Sequence, residues 1–192
     1  GMTALEPDFS LSEEISHAVT HGLGFLGAAG RTVYLIEEAL AVGDGVDVLG
    51  AIVFGVTMTH VYAASTLCHA LPDGWQSQRV FELLDFTGIY ALIAGTYTPF
   101  MLGPLRDGWG PPVLVAVWSL AIIGIAIEIL VRPRPVRTSL TMYLGMGWLG
   151  VFVGIPLAEA MPREALWVLL GGGTAYTLGV VFYVWRGFRY HH

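Results

Sequence analysis

Apolar residues run in six stretches along the chain, at about 17–41, 48–71, 82–103, 112–131, 139–158 and 164–185. Each approaches or exceeds the roughly 20 residues an α-helix needs to cross the hydrocarbon core of a bilayer. The fifth is short. Between them lie brief breaks rich in turn formers: Gly43-Asp44-Gly45, Pro72-Asp73-Gly74, Gly108-Trp109-Gly110-Pro111-Pro112, Arg132-Pro133-Arg134-Pro135 and Met161-Pro162-Arg163. The pattern predicts an all-α fold, a polytopic transmembrane bundle of six helices forming one domain over 1–192. A polar segment, 1–15, precedes the first span. Glycines recur inside the spans (Gly22, Gly24, Gly27 and Gly30; Gly145, Gly147, Gly150 and Gly154), where small residues let helices approach closely in lipid.

Composition strengthens this picture. The 192 residues are 55% hydrophobic and only 12% charged, with a mean hydropathy of +0.66. A soluble domain carries about 25% charge, so much of this surface must face lipid. All nine basic residues are arginine, which excludes chemistry that needs a lysine Schiff base. The net charge of −6 draws on an acidic start (Glu6, Asp8, Glu13, Glu14), and no basic patch suggests a nucleic-acid partner. Membrane lipids are the expected partners. Cys68 is the single cysteine, so no intrachain disulfide forms. Gly1-Met2 reads as a residue placed before a native start, and the polar residues after it do not form a cleavable signal.

The arginines orient the bundle. Arg79, Arg132, Arg134, Arg137, Arg186 and Arg189 follow even-numbered spans, whereas only Arg106 and Arg163 lie in the opposite links. Basic residues favour the cytoplasmic side, so the even links and the N-terminus are expected there, in the cell membrane, with bacterial cytoplasmic membrane as the setting.

Ionisable groups inside spans are costly and are functional candidates by default. His17 and His21 open span one, Ser65 and His69 close span two, Asp85 opens span three, and His191-His192 follow span six. The orientation places all of them at the cytoplasmic face. Imidazole is a good zinc ligand, and a carboxylate binds the metal or holds its water. Zinc lowers the pKa of bound water to about 7, and Asp85 could take the proton. Ser65 and His69, four apart, share a helix stripe. A bland reading stands beside this one: helix-end histidines also meet headgroups and water. His17 and His21 read either as a second metal pair or as an interfacial cap, with the cap favoured. His60 lies mid-span, where hydrogen bonding to a neighbour suffices. Glu128 is four before Arg132 and is expected to pair with it. Arg31 lies deep in span one and requires a partner. His191-His192 also resembles the remnant of an affinity tag.

Ser65-Thr66-Leu67-Cys68-His69 resembles the SxxxH motif of the hemolysin III family, which belongs with the progestin and adipoQ receptors. Leu84-Asp85-Phe86-Thr87-Gly88-Ile89-Tyr90, continuing through Gly95-Thr96-Tyr97-Thr98-Pro99, resembles the family's third-helix signature. Glu14 with Thr20-His21-Gly22 resembles its first-helix opening, and Tyr190-His191-His192 the start of its last motif. The resemblance implies a seven-helix bundle with the N-terminus inside, and zinc held by the second-helix His and an HxxxH pair. On that basis His69 and His192 are metal ligands, Asp85 holds the metal's water or binds it, and Ser65 is the polar partner, with Asp85 and Ser65 as the catalytic pair. The chain stops at His192, before the second His of HxxxH, so six helices of an expected seven are present. The implied activity is zinc-dependent hydrolysis of lipid amides or esters. The alternative is a non-enzymatic cytolytic, pore-forming or membrane-homeostasis protein with a structural zinc.

Overall fold

The computed structural model describes residues 11–71 and 76–184, and every element among them is helical. Helix α1 (Leu11–Val42) and α2 (Gly45–Ala70) form a tight antiparallel hairpin. The turn between them is fixed chemically. Asp44 caps α2, its carboxylate accepting from the Val46 and Asp47 amides at 2.8 and 3.1 Å, while Asp47 reaches back to the Asp44 amide at 3.0 Å. Arg106, from the link after the third helix, bridges both carboxylates at 2.5 and 3.0 Å. It holds the Asp44 carboxyl below the usual carboxylate range.

Helix α3 (Gln76–Leu102) is the central element, followed by α4 (Gly110–Leu130). Its face of Tyr90, Ile93, Ala94, Tyr97 and Met101 packs with Val117 and Ala121 of α4 and with Tyr143 and Met146 of the fifth helix. Small residues permit this. A Cβ on Gly124 would fall 2.2 Å from the Tyr90 ring, and one on Gly95 would fall 2.2 Å from the Thr57 hydroxyl.

The fifth span is not one helix. It comprises α5 (Val136–Trp148), a 3₁₀ turn (Leu149–Val153) and α6 (Gly154–Ala160). Pro156 has no N–H to offer the carbonyl four residues earlier, and its ring crowds that turn. The backbone groups freed there need partners in an apolar medium. Tyr97 serves the backbone at the start of the 3₁₀ turn: its hydroxyl lies 2.8 and 2.9 Å from the Met146 and Gly147 carbonyls and accepts from the Gly150 amide at 2.7 Å. The 25 residues Val136–Ala160 are together long and apolar enough to span.

The last described helix, α7 (Arg163–Val184), is the least enclosed, with none of its most apolar window buried. Residues 45–70, 79–102, 110–130, 136–160 and 163–182 all qualify as spans. Helix α1, with 32 residues, has the length but carries Arg31, Glu37 and Glu38. Arg31 finds its partner on its own helix, lying over the Tyr34 ring at 5.0 Å.

Candidate functional site

The α1–α2 hairpin brings the histidines together. In an antiparallel pair, residues equally far from the link face one another. His21 and Ser65 are each 22 positions from Gly43, and His17 and His69 are each 26. The observed contacts follow this register. His21 Nδ1 lies 2.5 Å from Ser65 Oγ. The His17 and His69 rings meet edge-on at 4.9 Å between centroids, and His21 and His69 at 5.8 Å. Close approach depends on Gly24, where a Cβ would strike the Tyr62 ring at 2.5 Å; Gly22 faces the Thr66 methyl at ordinary contact distance.

Helix α3 completes the group. Ser65 is 4% exposed, held between α1 and α3. Ser65, His69, Arg134 and His60 all lie within electrostatic reach of the Asp85 carboxyl. Ser65, His69 and Asp85 therefore converge, as the sequence predicts. His17 and His21 join them, where the favoured sequence reading was an interfacial cap. The reason is the two-residue link of α1 to α2, which places the first turns of α1 beside the last turns of α2. His192 and His191 lie outside the described residues, as do Arg186 and Arg189. Among the described residues, no three His, Cys, Asp or Glu side chains are arranged as a metal cage. The donor types at this end, imidazole nitrogens and a carboxylate, are those zinc accepts, and His69 and Asp85 stand on facing helices.

A second polar cluster, at the same end of α4, was only partly anticipated. Glu128 is 1% exposed. Its ion-pair partner is Arg134 at 3.1 Å, not Arg132, which donates instead to the Glu128 carbonyl at 2.8 Å. Proline at 133 and 135 turns the chain back, so the side chain six positions on reaches the carboxylate. Ser139 donates to the other carboxylate oxygen at 2.5 Å. The Arg134 guanidinium also lies 3.2 Å over the Phe86 ring, next in sequence to Asp85. His60 is exposed among the described residues, its ring against Gly88.

The model of the Haemolysin-III related family matches residues 9–189. The chain belongs to this family. It is 40% identical over 184 residues to the Hemolysin-3 homolog of Bacillus subtilis (strain 168), covering 96% of this chain and 86% of that one. It is 37% identical over 182 residues to Hemolysin-3 of Bacillus cereus, covering 95% and 83%. A more distant similarity, 28% over 194 residues, links it to an adiponectin receptor protein of Drosophila melanogaster, of which 43% is covered. No solved structure matches the chain. With its apolar helices, this haemolysin III-type chain is an integral membrane protein.

Proposed function

We propose that the chain is a zinc-dependent hydrolase of lipid amides or esters, resident in a bacterial cytoplasmic membrane, with its centre at the histidine end of α1, α2 and α3. The convergence of His69, Ser65 and Asp85 from two helices carries this reading. His69 and His192 would hold the metal, and Asp85 would bind it or its water. Zinc, when bound, polarises a carbonyl and makes hydroxide available near neutral pH. The Asp85 carboxylate accepts a proton from water and delivers it to the leaving amine or alcohol. Ser65 orients that carboxylate. Membrane lipid reaches the group laterally, because these side chains lie at a helix end within reach of the lipid-facing sides of α2 and α3.

The test is metal analysis of the protein purified in detergent, together with turnover of long-chain N-acyl amides in vesicles. We expect stoichiometric zinc, lost in His69→Ala. Turnover in Asp85→Asn is expected to fall by about 100-fold or more, as for loss of a general acid–base group. A protein that binds no zinc, or an Asp85→Asn variant with full turnover, defeats the proposal. The relatives' name, Hemolysin-3, supports a second reading, membrane lysis. Vesicle leakage that persists unchanged in both variants selects it.

A further inference from the structure

At the end of the bundle opposite the histidines, the link between α3 and α4 and one face of α6 line an open recess of about 320 Å³. Local sequence builds both walls. The link is wound tightly onto the end of α3, where the Gly108 and Gly110 amides both donate to the Leu105 carbonyl, at 3.2 and 2.9 Å. A Cβ on Gly110 would strike the Met101 carbonyl, so only glycine lets the backbone close there. Trp109 is left outside this turn, 60% exposed, on the rim with Asp107. Across from them, Pro156, Glu159 and Ala160 are three and four positions apart and share one face of α6.

The lining carries negative charge and no positive charge. Asp107 and Glu159 supply two exposed carboxylates, and no arginine is among the lining residues. Among the described residues neither carboxylate is in an ion pair. Arg106, next to Asp107, is spent on Asp44 and Asp47, and Arg163, beyond the Met161-Pro162 turn, makes no pair with Glu159. The rest of the lining is the Trp109 indole and apolar groups of proline, leucine and alanine. A bare inorganic cation gains from oxygen ligands alone. A cation that carries alkyl groups uses every part of this wall: its charge meets the carboxylates and the indole face, and its methyl or methylene groups meet the apolar side chains.

We propose that this recess binds an alkylammonium group. The flank of α6 indicates where the group comes from. Phe152 and Ile155, 79% and 76% exposed, continue the wall from Pro156 along the fifth span. An acyl chain of a zwitterionic phospholipid lies along them while its head-group ammonium sits between Asp107 and Glu159. A soluble alkylammonium ion offers the recess the same chemistry without the chain. The site lies at the far end of the bundle from the histidines and does not depend on the hydrolase reading.

Fluorine NMR of the protein labelled with 5-fluorotryptophan, in nanodiscs of phosphatidylglycerol, reads the recess through Trp109, whose resonance is assigned with Trp109→Phe. Tetramethylammonium chloride should move that resonance saturably, and sodium chloride at the same ionic strength should not. The double variant Asp107→Asn/Glu159→Gln changes two exposed side chains to their uncharged isosteres and leaves the packing intact. Its apparent Kd for tetramethylammonium should rise about 10-fold, as for two exposed ion pairs lost together. Replacing half of the lipid with phosphatidylethanolamine or phosphatidylcholine should move the parent resonance in the same direction and make it insensitive to added tetramethylammonium, which assigns the site to lipid. A resonance that responds to the soluble ion alone upholds the ammonium site and assigns it to a solute. A shift that sodium reproduces, a double variant that responds as the parent does, or a Trp109 resonance that answers neither source overturns the proposal.

Discussion

Two polar clusters lie at the same end of the bundle, and they treat their charges differently. Around Glu128 every strong group is matched inside the protein: Arg134 and Ser139 occupy the two carboxylate oxygens, and Phe86 covers the guanidinium. Around His69 the rings of His17, His21 and His69 are half-buried and packed against one another, beside the buried Ser65. The first arrangement is a closed network that fastens the α4–α5 link to α3. The second gathers three imidazoles and a carboxyl where α1, α2 and α3 meet. The difference teaches that an ionisable residue within a span is not sufficient to mark function. The informative feature is the kind of groups gathered: a matched ion pair in one cluster, imidazoles beside a carboxyl in the other.

The sharpest way to break this comparison is to remove one partner from the closed network. Glu128→Leu leaves Arg134, whose side chain is 14% exposed, without its counter-ion. Breaking a buried pair from one side costs about 3–5 kcal/mol. We expect a large drop in the thermal midpoint in detergent, with zinc content per folded molecule unchanged. His69→Ala should do the reverse, losing the metal while keeping the midpoint of the parent when both are measured free of zinc. If Glu128→Leu removes zinc without loss of stability, the two clusters are one site and the comparison fails.

Packing gives the next effect. Gly124 meets Tyr90 at a point where any side chain collides with a fully buried ring, and Tyr90 belongs to the core of α3. Gly124→Val should therefore cost about 1–3 kcal/mol, the usual penalty for overfilling a packed core. On the histidine side, a Cβ on Gly22 would stand 3.6 Å from Thr66, an ordinary contact, so Gly22→Ala should be nearly neutral. Chemical denaturation of the two variants side by side measures the contrast. Equal losses would mean that the histidine end is packed as rigidly as the core.

Much of this was legible in the sequence, for stated physical reasons. Apolar run length set the spans, and proline and glycine set the breaks. SxxxH with the third-helix Asp85 identified the converging pair. The broken fifth span is less visible, because Pro156 acts through a carbonyl four residues away and Tyr97 meets the start of the break from another helix. Arg134 was missed as the partner of Glu128 because helical spacing was applied across Pro133, where the helix has ended. His17 and His21 were readable in principle: a two-residue link between long helices fixes the register, and counting outward from Gly43 pairs His21 with Ser65. Helix-end preference was weighed there, and hairpin register was not.

The smallest expected effect lies at the opposite end of the bundle, where Arg106 joins Asp44 and Asp47 across two links. This cluster is the exposed counterpart of the Glu128 network, with the same charge types but with water available to each. Exposed pairs contribute little and are screened by salt. Their sign with pH is nevertheless defined. Asp44 has its folded-state carboxyl held below the ordinary value by Arg106, so its contribution is present above that ordinary value and fades as the pH falls through the lowered one. Arg106→Gln should therefore lower the thermal midpoint slightly at pH 7 and low salt. The gap from the parent should close in strong acid, and also in 1 M salt. A gap that persists in acid would mean that Arg106 holds the links through its contact with the Gly103 carbonyl rather than through charge, and that exposure does not separate the three clusters as the comparison requires.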